Sequence, residues 1–181
     1  AVSNIAAALE AGVPVVSGTT GWLDRLEEVK TICAREKGAF FYASNFSIGV
    51  NIFFALNRYL ARMMDQQPQY DVELEEIHHT QKLDAPSGTA ITLAQGILDE
   101  ITRKKSWINE KSEDPEALSI ISKRIDPAPG THEINYHSEI DSITIRHTAH
   151  SREGFAAGAL MAAEWIVGRQ GVFGMSDMLP F

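Results

Sequence analysis

His78, His79, Lys82 and Asp84 stand close together in this chain, followed at once by Ala85-Pro86-Ser87-Gly88-Thr89-Ala90. Imidazole and ammonium groups move protons and attract anions. Neighbouring positive charge makes an ammonium the better proton donor, and two histidines precede Lys82. Pro86 keeps Ala85 out of the helical region, and Ser87 is a good N-cap. Gly88 and Thr89 then open a helix with backbone N–H groups that no residue of the helix can accept. A helix start of this kind holds a carboxylate or phosphate. A charge-assisted hydrogen bond there contributes about 1.5–3 kcal/mol. Cations converging on a helix start describe a site for a small, doubly negative molecule, with Asp84 ordering the loop or balancing its charge.

The elements that carry these residues can be read from periodicity. Tyr70 to Leu74 alternates polar and apolar, as a half-buried strand does, and its buried face continues to Glu76 and His78. The apolar Ile77 breaks the alternation, so a bulge near Glu76 is expected. His78 and His79 are adjacent and face opposite ways. Ile91 to Ile101 has helical apolar spacing. Upstream, a helix from Asn4 to Ala11 precedes two βα units. Strand Val13–Ser17 ends in the turn Gly18-Thr19-Thr20-Gly21 and leads to a helix from Leu23 to Lys37. Strand Ala39–Ala43 ends in Ser44-Asn45-Phe46-Ser47. Successive βα units imply a doubly wound sheet, with ligands beyond the strands' carboxyl ends. The helix Gly49–Met64 is apolar enough to expect burial on two sides. Arg103 to Glu116 reads as loop. Strands are expected over Leu118–Ile125, Thr131–Ser138 and Ser142–Thr148, which with the central strand make a mixed sheet of roughly four. A last helix, Gly154–Gly168, leads to a tail without period.

Composition narrows the classes. The 181 residues are 44% hydrophobic, enough for a domain or a domain and a half. A net charge of −8 excludes a nucleic-acid partner as the simple reading, and no apolar run has the length of a membrane span. The single Cys33 precludes a disulfide framework and fits a cytoplasmic location. Asn45-Phe46-Ser47 matches a glycosylation sequon that has no meaning outside secretion. Among six histidines, His147 and His150 have metal-like spacing, but no cysteine or carboxylate joins them, so no metal site is expected. The chain opens at Ala1 on a helix, and no G-x-G-x-x-G run precedes the βα units. The expectation is a nucleotide-binding domain without its opening part.

The run E-x-x-H-H-x-x-K-x-D-A-P-S-G-T-A, from Glu75 to Ala90, resembles the signature of the 4-hydroxy-tetrahydrodipicolinate reductase (dihydrodipicolinate reductase) family. The resemblance implies an α/β protein: a remainder of a Rossmann-type dinucleotide-binding domain (residues 1–47 and 153–181) and an α+β substrate domain (48–152). It implies reduction of a cyclic dicarboxylate by NADH or NADPH in lysine and diaminopimelate synthesis, by a homotetramer. It makes His78 and Lys82 catalytic in proton transfer, and His79, Gly88 and Thr89 substrate-binding. It puts Gly18, Thr19 and Thr20, with Ala43, Ser44, Asn45, Phe46 and Ser47, at the nicotinamide; Ser44 replaces the family's usual proline. His147 and Arg152 fall in a family region near the substrate. The residue that would separate NADH from NADPH lies outside this sequence, and the chain alone is expected to hold dinucleotide poorly and to be inactive. Two rivals are weighed. A semialdehyde dehydrogenase needs a cysteine at a cofactor loop, where Cys33 does not stand. A non-catalytic dicarboxylate-binding or regulatory module would tolerate loss of Lys82.

Overall fold

The structure, a computed structural model, describes residues 1–179. In chain order the elements are α1 (Val2–Glu10), β1 (Val15–Ser17), α2 (Leu26–Arg35, entered through a 3₁₀ turn Leu23–Arg25), β2 (Ala39–Tyr42), α3 (Ile48–Asp65) and β3 (Asp71–His78). There follow α4 (Gly88–Glu100), β4 (Ser106–Ile108), β5 (Ala117–Arg124), β6 (Thr131–His137), β7 (Ser142–Thr148), α5 (Glu153–Trp165), β8 (Gly171–Phe173) and α6 (Met175–Met178). They form two compact units, residues 1–51 with 153 onward, and residues 52–152. No helix among the described residues is long and apolar enough to cross a membrane.

In the first unit β1, β2 and β8 make a parallel sheet in the order β1-β2-β8. The run Ala39-Phe40-Phe41 has no polar member because both faces of β2 are covered. Phe40 joins Val2, Ile5, Leu9, Val29 and Cys33 of α1 and α2; Phe41 joins Phe46, Ala162, Ile166 and Met175 on the other side. Helix α5 crosses so close to the loop after β2 that a Cβ on Gly158 would lie 1.8 Å from the Phe46 carbonyl oxygen. The tail read as aperiodic holds β8 and α6, elements too short for a period to register.

The second unit is built on a mixed sheet ordered β4-β5-β3-β6-β7. It has five strands instead of the four expected, because β4 sits inside the polar stretch read as loop and pairs parallel to β5 through Ser106↔Ala117 to Ile108↔Ser119. Being a short edge strand of exposed and half-buried residues, it carries no apolar alternation. Central β3 runs parallel to β5 and antiparallel to β6. Phe53, Leu60, Leu93, Ala94 and Ile97 of α3 and α4 pack on Val72, Leu74, Leu118, Ile120 and Ile134.

Two further expectations are corrected. No bulge interrupts β3: its register runs unbroken from Asp71↔His137 to Ile77↔Thr131 against β6, and from Glu73↔Ser119 to His78↔Arg124 against β5. Val72, Leu74, Glu76 and His78 all stay on the buried face, while Ile77 lies half-buried on the other. The strand thus keeps its period by burying a carboxylate. Helix α3 is covered on one side only in this chain, since Ile52, Leu56, Tyr59 and Met63 are 45–62% exposed.

Candidate active site

Because β3 runs straight, it carries Glu76 and His78 inward side by side. The Glu76 side chain is wholly buried and is held from three directions. His78 Nδ1 stands 2.6 Å from Oε2, and the Arg124 guanidinium, at the end of β5, donates to Oε1 at 2.9 Å. The Ser87 N–H donates to the same Oε1 at 3.3 Å. Burial alone would raise the Glu76 pKa, but the contacts with His78, Ser87, Arg124 and Ser122 hold it well below the usual carboxylate range. Arg124 also donates to the Asp84 carbonyl at 2.7 Å and to the Lys82 carbonyl at 3.3 Å. One carboxylate therefore gathers the strand that ends in His78, the loop of Lys82, and the helix that begins after Ser87.

Lys82 does not stand in an unrelieved field of positive charge, as its sequence neighbours implied. Its Nζ donates to both Asp84 oxygens, at 2.8 and 2.9 Å, and that pairing pulls the Asp84 pKa down. Asp126, brought from the β5–β6 turn, takes the Thr80 N–H at 3.0 Å and the Thr80 hydroxyl at 2.6 Å. These bonds lower its pKa, and the nearby His79 lowers it further. His79, the first residue after β3, is half-buried.

The helix start is built as the sequence indicated. Ser87 Oγ accepts from the Ala90 N–H at 3.2 Å, which leaves the Gly88 and Thr89 N–H groups without an acceptor among the described residues. A Cβ on Gly88 would meet nothing within 4 Å. The space in front of α4 is therefore open, and the chain itself gives no packing reason for a glycine there.

In the first unit, two of the predicted nicotinamide residues use their side chains within the loops themselves. Thr19 Oγ1 accepts from Trp22 Nε1 at 2.9 Å. Asn45 Oδ1 accepts from the Ser47 N–H at 2.9 Å, and Phe46 and Ala43 are each 7% exposed. For a ligand there remain the exposed Thr20 and Ser44 side chains and the Gly18, Thr19 and Thr20 N–H groups, which donate to nothing among the described residues. An open depression of about 490 Å³ in this unit runs along the unpaired edge of β1 and reaches the predicted nicotinamide turn, its lining including Ile5, Val16, Ser17, Thr19, Gly21 and Trp22.

Comparison with known proteins gives these arrangements a context. The family described as "Dihydrodipicolinate reductase, C-terminus" matches residues 49–179. A 4-hydroxy-tetrahydrodipicolinate reductase of Christiangramia forsetii is 52% identical over 99% of this chain and 74% of its own length. The chain belongs to the dihydrodipicolinate reductase family. A 4-hydroxy-tetrahydrodipicolinate reductase of Methanoregula boonei is 37% identical over 99% of this chain and 70% of its own. A solved structure, "Dipicolinate bound Dihydrodipicolinate reductase" from a Paenisporosarcina species, superposes with a TM-score of 0.76 at 27% identity. It covers 98% of this chain and 69% of the other. The family is one of oxidoreductases.

Against that family background, sequence reading missed three site residues. Glu76 was placed on the buried face but given no task, although a carboxylate at an inward strand position is itself a signal. Arg124 and His132 arrive from β5 and β6, and no local spacing ties them to the run around Lys82. His132 Nε2 is 3.2 Å from Ser87 Oγ, and its ring centroid lies 5.1 Å from that of His78. Burial, aided by His78, His147 and Lys82 against the pull of Glu76, lowers its pKa to about 4. Neutral near pH 7, it shares a hydrogen bond with the Ser87 hydroxyl, whose oxygen also accepts from the Ala90 N–H. His147 is the cross-strand partner of His132, and its ring lies 6.0 Å from that of Phe53. Glu76, His78 and His132 offer ligand atoms within 4.8 Å of one another. The Arg124 guanidinium on Glu76 Oε1 already supplies positive charge beside the trio, while Oε2 faces His78 Nδ1.

Proposed function

We propose that this protein reduces 4-hydroxy-tetrahydrodipicolinate to tetrahydrodipicolinate with NADH or NADPH, in the synthesis of diaminopimelate and lysine. The net change is loss of the hydroxyl as water, with one hydride and one proton taken up. A reduced nicotinamide, when bound, supplies the hydride. The first unit is read as the remainder of a Rossmann-type domain, with the free N–H groups of Gly18, Thr19 and Thr20 and the loop Ala43 to Phe46 meeting that ring through backbone.

The rest is the work of the second unit. The Gly88 and Thr89 N–H groups and the Thr89 hydroxyl hold one substrate carboxylate, and His79 holds the other. Lys82 gives the proton that lets the hydroxyl leave, and His78 shares in that proton transfer. The observation that carries this reading is the gathering of His78, the Lys82 loop and the open helix start on the Glu76 carboxylate. The solved relative is described as dipicolinate-bound; that planar molecule has two carboxylates, the charge pattern that this site is suited to. Self-association into a homotetramer and a cytoplasmic location belong to the same proposal. The exposed Ile143 on β7 supports the first, and the free Cys33 the second.

Calorimetric titration of metal-free protein with pyridine-2,6-dicarboxylate tests the site. Thr89→Val removes one hydrogen bond to an ionised group, so binding should weaken about tenfold or more. Unchanged affinity in that variant would remove the carboxylate from the start of α4.

A further inference from the structure

We infer that Glu76 is the positioning residue of this site: its carboxylate fixes His78 in the Nδ1–H tautomer and, through Arg124, fixes the loop that carries Lys82. The inference rests on the reading of His78 and Lys82 as the proton-handling pair, and it adds what holds them in register.

The tautomer follows from proximity and burial. His78 Nδ1 and Glu76 Oε2 are 2.6 Å apart, and both atoms are buried with no hydrogen bond to any other group among the described residues. A bare nitrogen lone pair facing a carboxylate oxygen at that distance would be repulsive, so the proton is on Nδ1. Glu76 stays ionised because Arg124 and the Ser87 N–H occupy its other oxygen. That leaves Nε2 as the atom of His78 available to take or give a proton. Nε2 lies against Gly130, where an added Cβ would come within 3.1 Å of it; the glycine leaves the ring room to present that edge. Orientation of an imidazole by a buried carboxylate is a recognised way to set which nitrogen does the chemistry.

The loop follows from the same group. Arg124 bridges the Glu76 carboxylate to the carbonyls of Lys82 and Asp84. Glu76 therefore sets the tautomer on one side and the loop position on the other.

Glu76→Gln separates these roles. Arg124 and the Ser87 N–H are both donors aimed at Oε1, so the amide oxygen must take that place and the NH₂ must face His78. Nδ1 then becomes an acceptor and the proton moves to Nε2. In the 181-residue chain labelled with ¹⁵N-histidine, two-bond ¹H–¹⁵N correlation should show His78 protonated at Nδ1, inverting to Nε2 in Glu76→Gln. In the intact enzyme the same variant should lower kcat about 10²–10⁴-fold while pyridine-2,6-dicarboxylate affinity changes less than about threefold. Glu76→Asp, which keeps the charge, should restore the Nδ1–H pattern and part of the turnover.

A wild-type His78 protonated at Nε2 would overturn the proposal even if Glu76→Gln failed to fold. So would an unchanged His78 pattern, or unchanged kcat, in a folded Glu76→Gln protein. Absence of reductase turnover in the intact wild type would instead sink the functional reading and leave the tautomer result standing.

Discussion

In the first unit, Thr19 and Asn45 turn side-chain oxygens back onto their own loops, to Trp22 and to the Ser47 N–H, and the Gly18, Thr19 and Thr20 N–H groups donate to nothing among the described residues. In the second, His78, Arg124 and Ser87 all converge on one buried carboxylate. A site made of backbone depends on loop shape, and it tolerates side-chain change wherever the shape survives. A site made of interlocked charges fails when one partner goes, because a buried ion left unpaired costs about 3–5 kcal/mol. The same protein thus contains one region that is robust to sequence and one that is not.

The largest effect is expected where charge does chemistry. Lys82→Ala in the intact enzyme should lower kcat by about 10²–10⁴-fold, the usual contribution of a positioned acid. Its ammonium pairs with Asp84 on an exposed loop, so the melting temperature should move little. Steady-state kinetics beside a thermal scan separate the two effects, and normal turnover would return the second unit to a binding role. In the first unit the matching lesion is steric. Gly158→Ala places a methyl group 1.8 Å from the Phe46 carbonyl oxygen, and the backbone of the predicted nicotinamide loop must shift. A loss of about 3 kcal/mol is expected on denaturant unfolding. If stability held, the loop would be less fixed than the contrast requires.

Acid should discriminate between the units as well. Burial lowers the His132 pKa from 6.5 to about 4, so the unfolded chain binds a proton that the folded chain refuses. The sign follows: stability is full above the unfolded value and is lost as pH falls from about 6.5 toward 4. The loss attributable to His132 is on the order of 2–3 kcal/mol. The low pKa of Glu76 adds to the loss only below its unfolded value of 4.5, so the windows are separable. Denaturant melts of His132→Gln should show a flatter slope between pH 6.5 and 4, and an undiminished slope would place the titrating group elsewhere.

What the sequence made legible was whatever is local in the chain. The N-cap at Ser87, the open N–H groups of Gly88 and Thr89 and the βα units all follow from neighbouring residues. Glu76 was placed on the correct face, but a bulge was expected because Ile77 broke the alternation. Strand period is set by the core, and the core accepted a carboxylate because Arg124, which lies far along the chain, neutralises it. The positive potential expected around Lys82 was overestimated for a local reason, since its ammonium pairs with Asp84, read from sequence only as ordering the loop or balancing its charge. Strand β4 escaped notice because three edge residues carry no period.

The smallest effect tests the robust side of the contrast. Ser44 is exposed, and its N–H donates to nothing among the described residues, so proline there removes no hydrogen bond. Ala43, the residue that would precede it, directly follows β2 and donates to the Ser17 carbonyl at 3.2 Å, which suits the extended conformation that proline imposes on its predecessor. Ser44→Pro should therefore act through the unfolded chain alone and raise stability by about 0.4–1 kcal/mol, with pyridine-2,6-dicarboxylate affinity unchanged. A fall in stability would mean that serine holds this loop in a shape proline cannot adopt. In that case the first unit would depend on its side chains after all, and the contrast with the Glu76 cluster would fail.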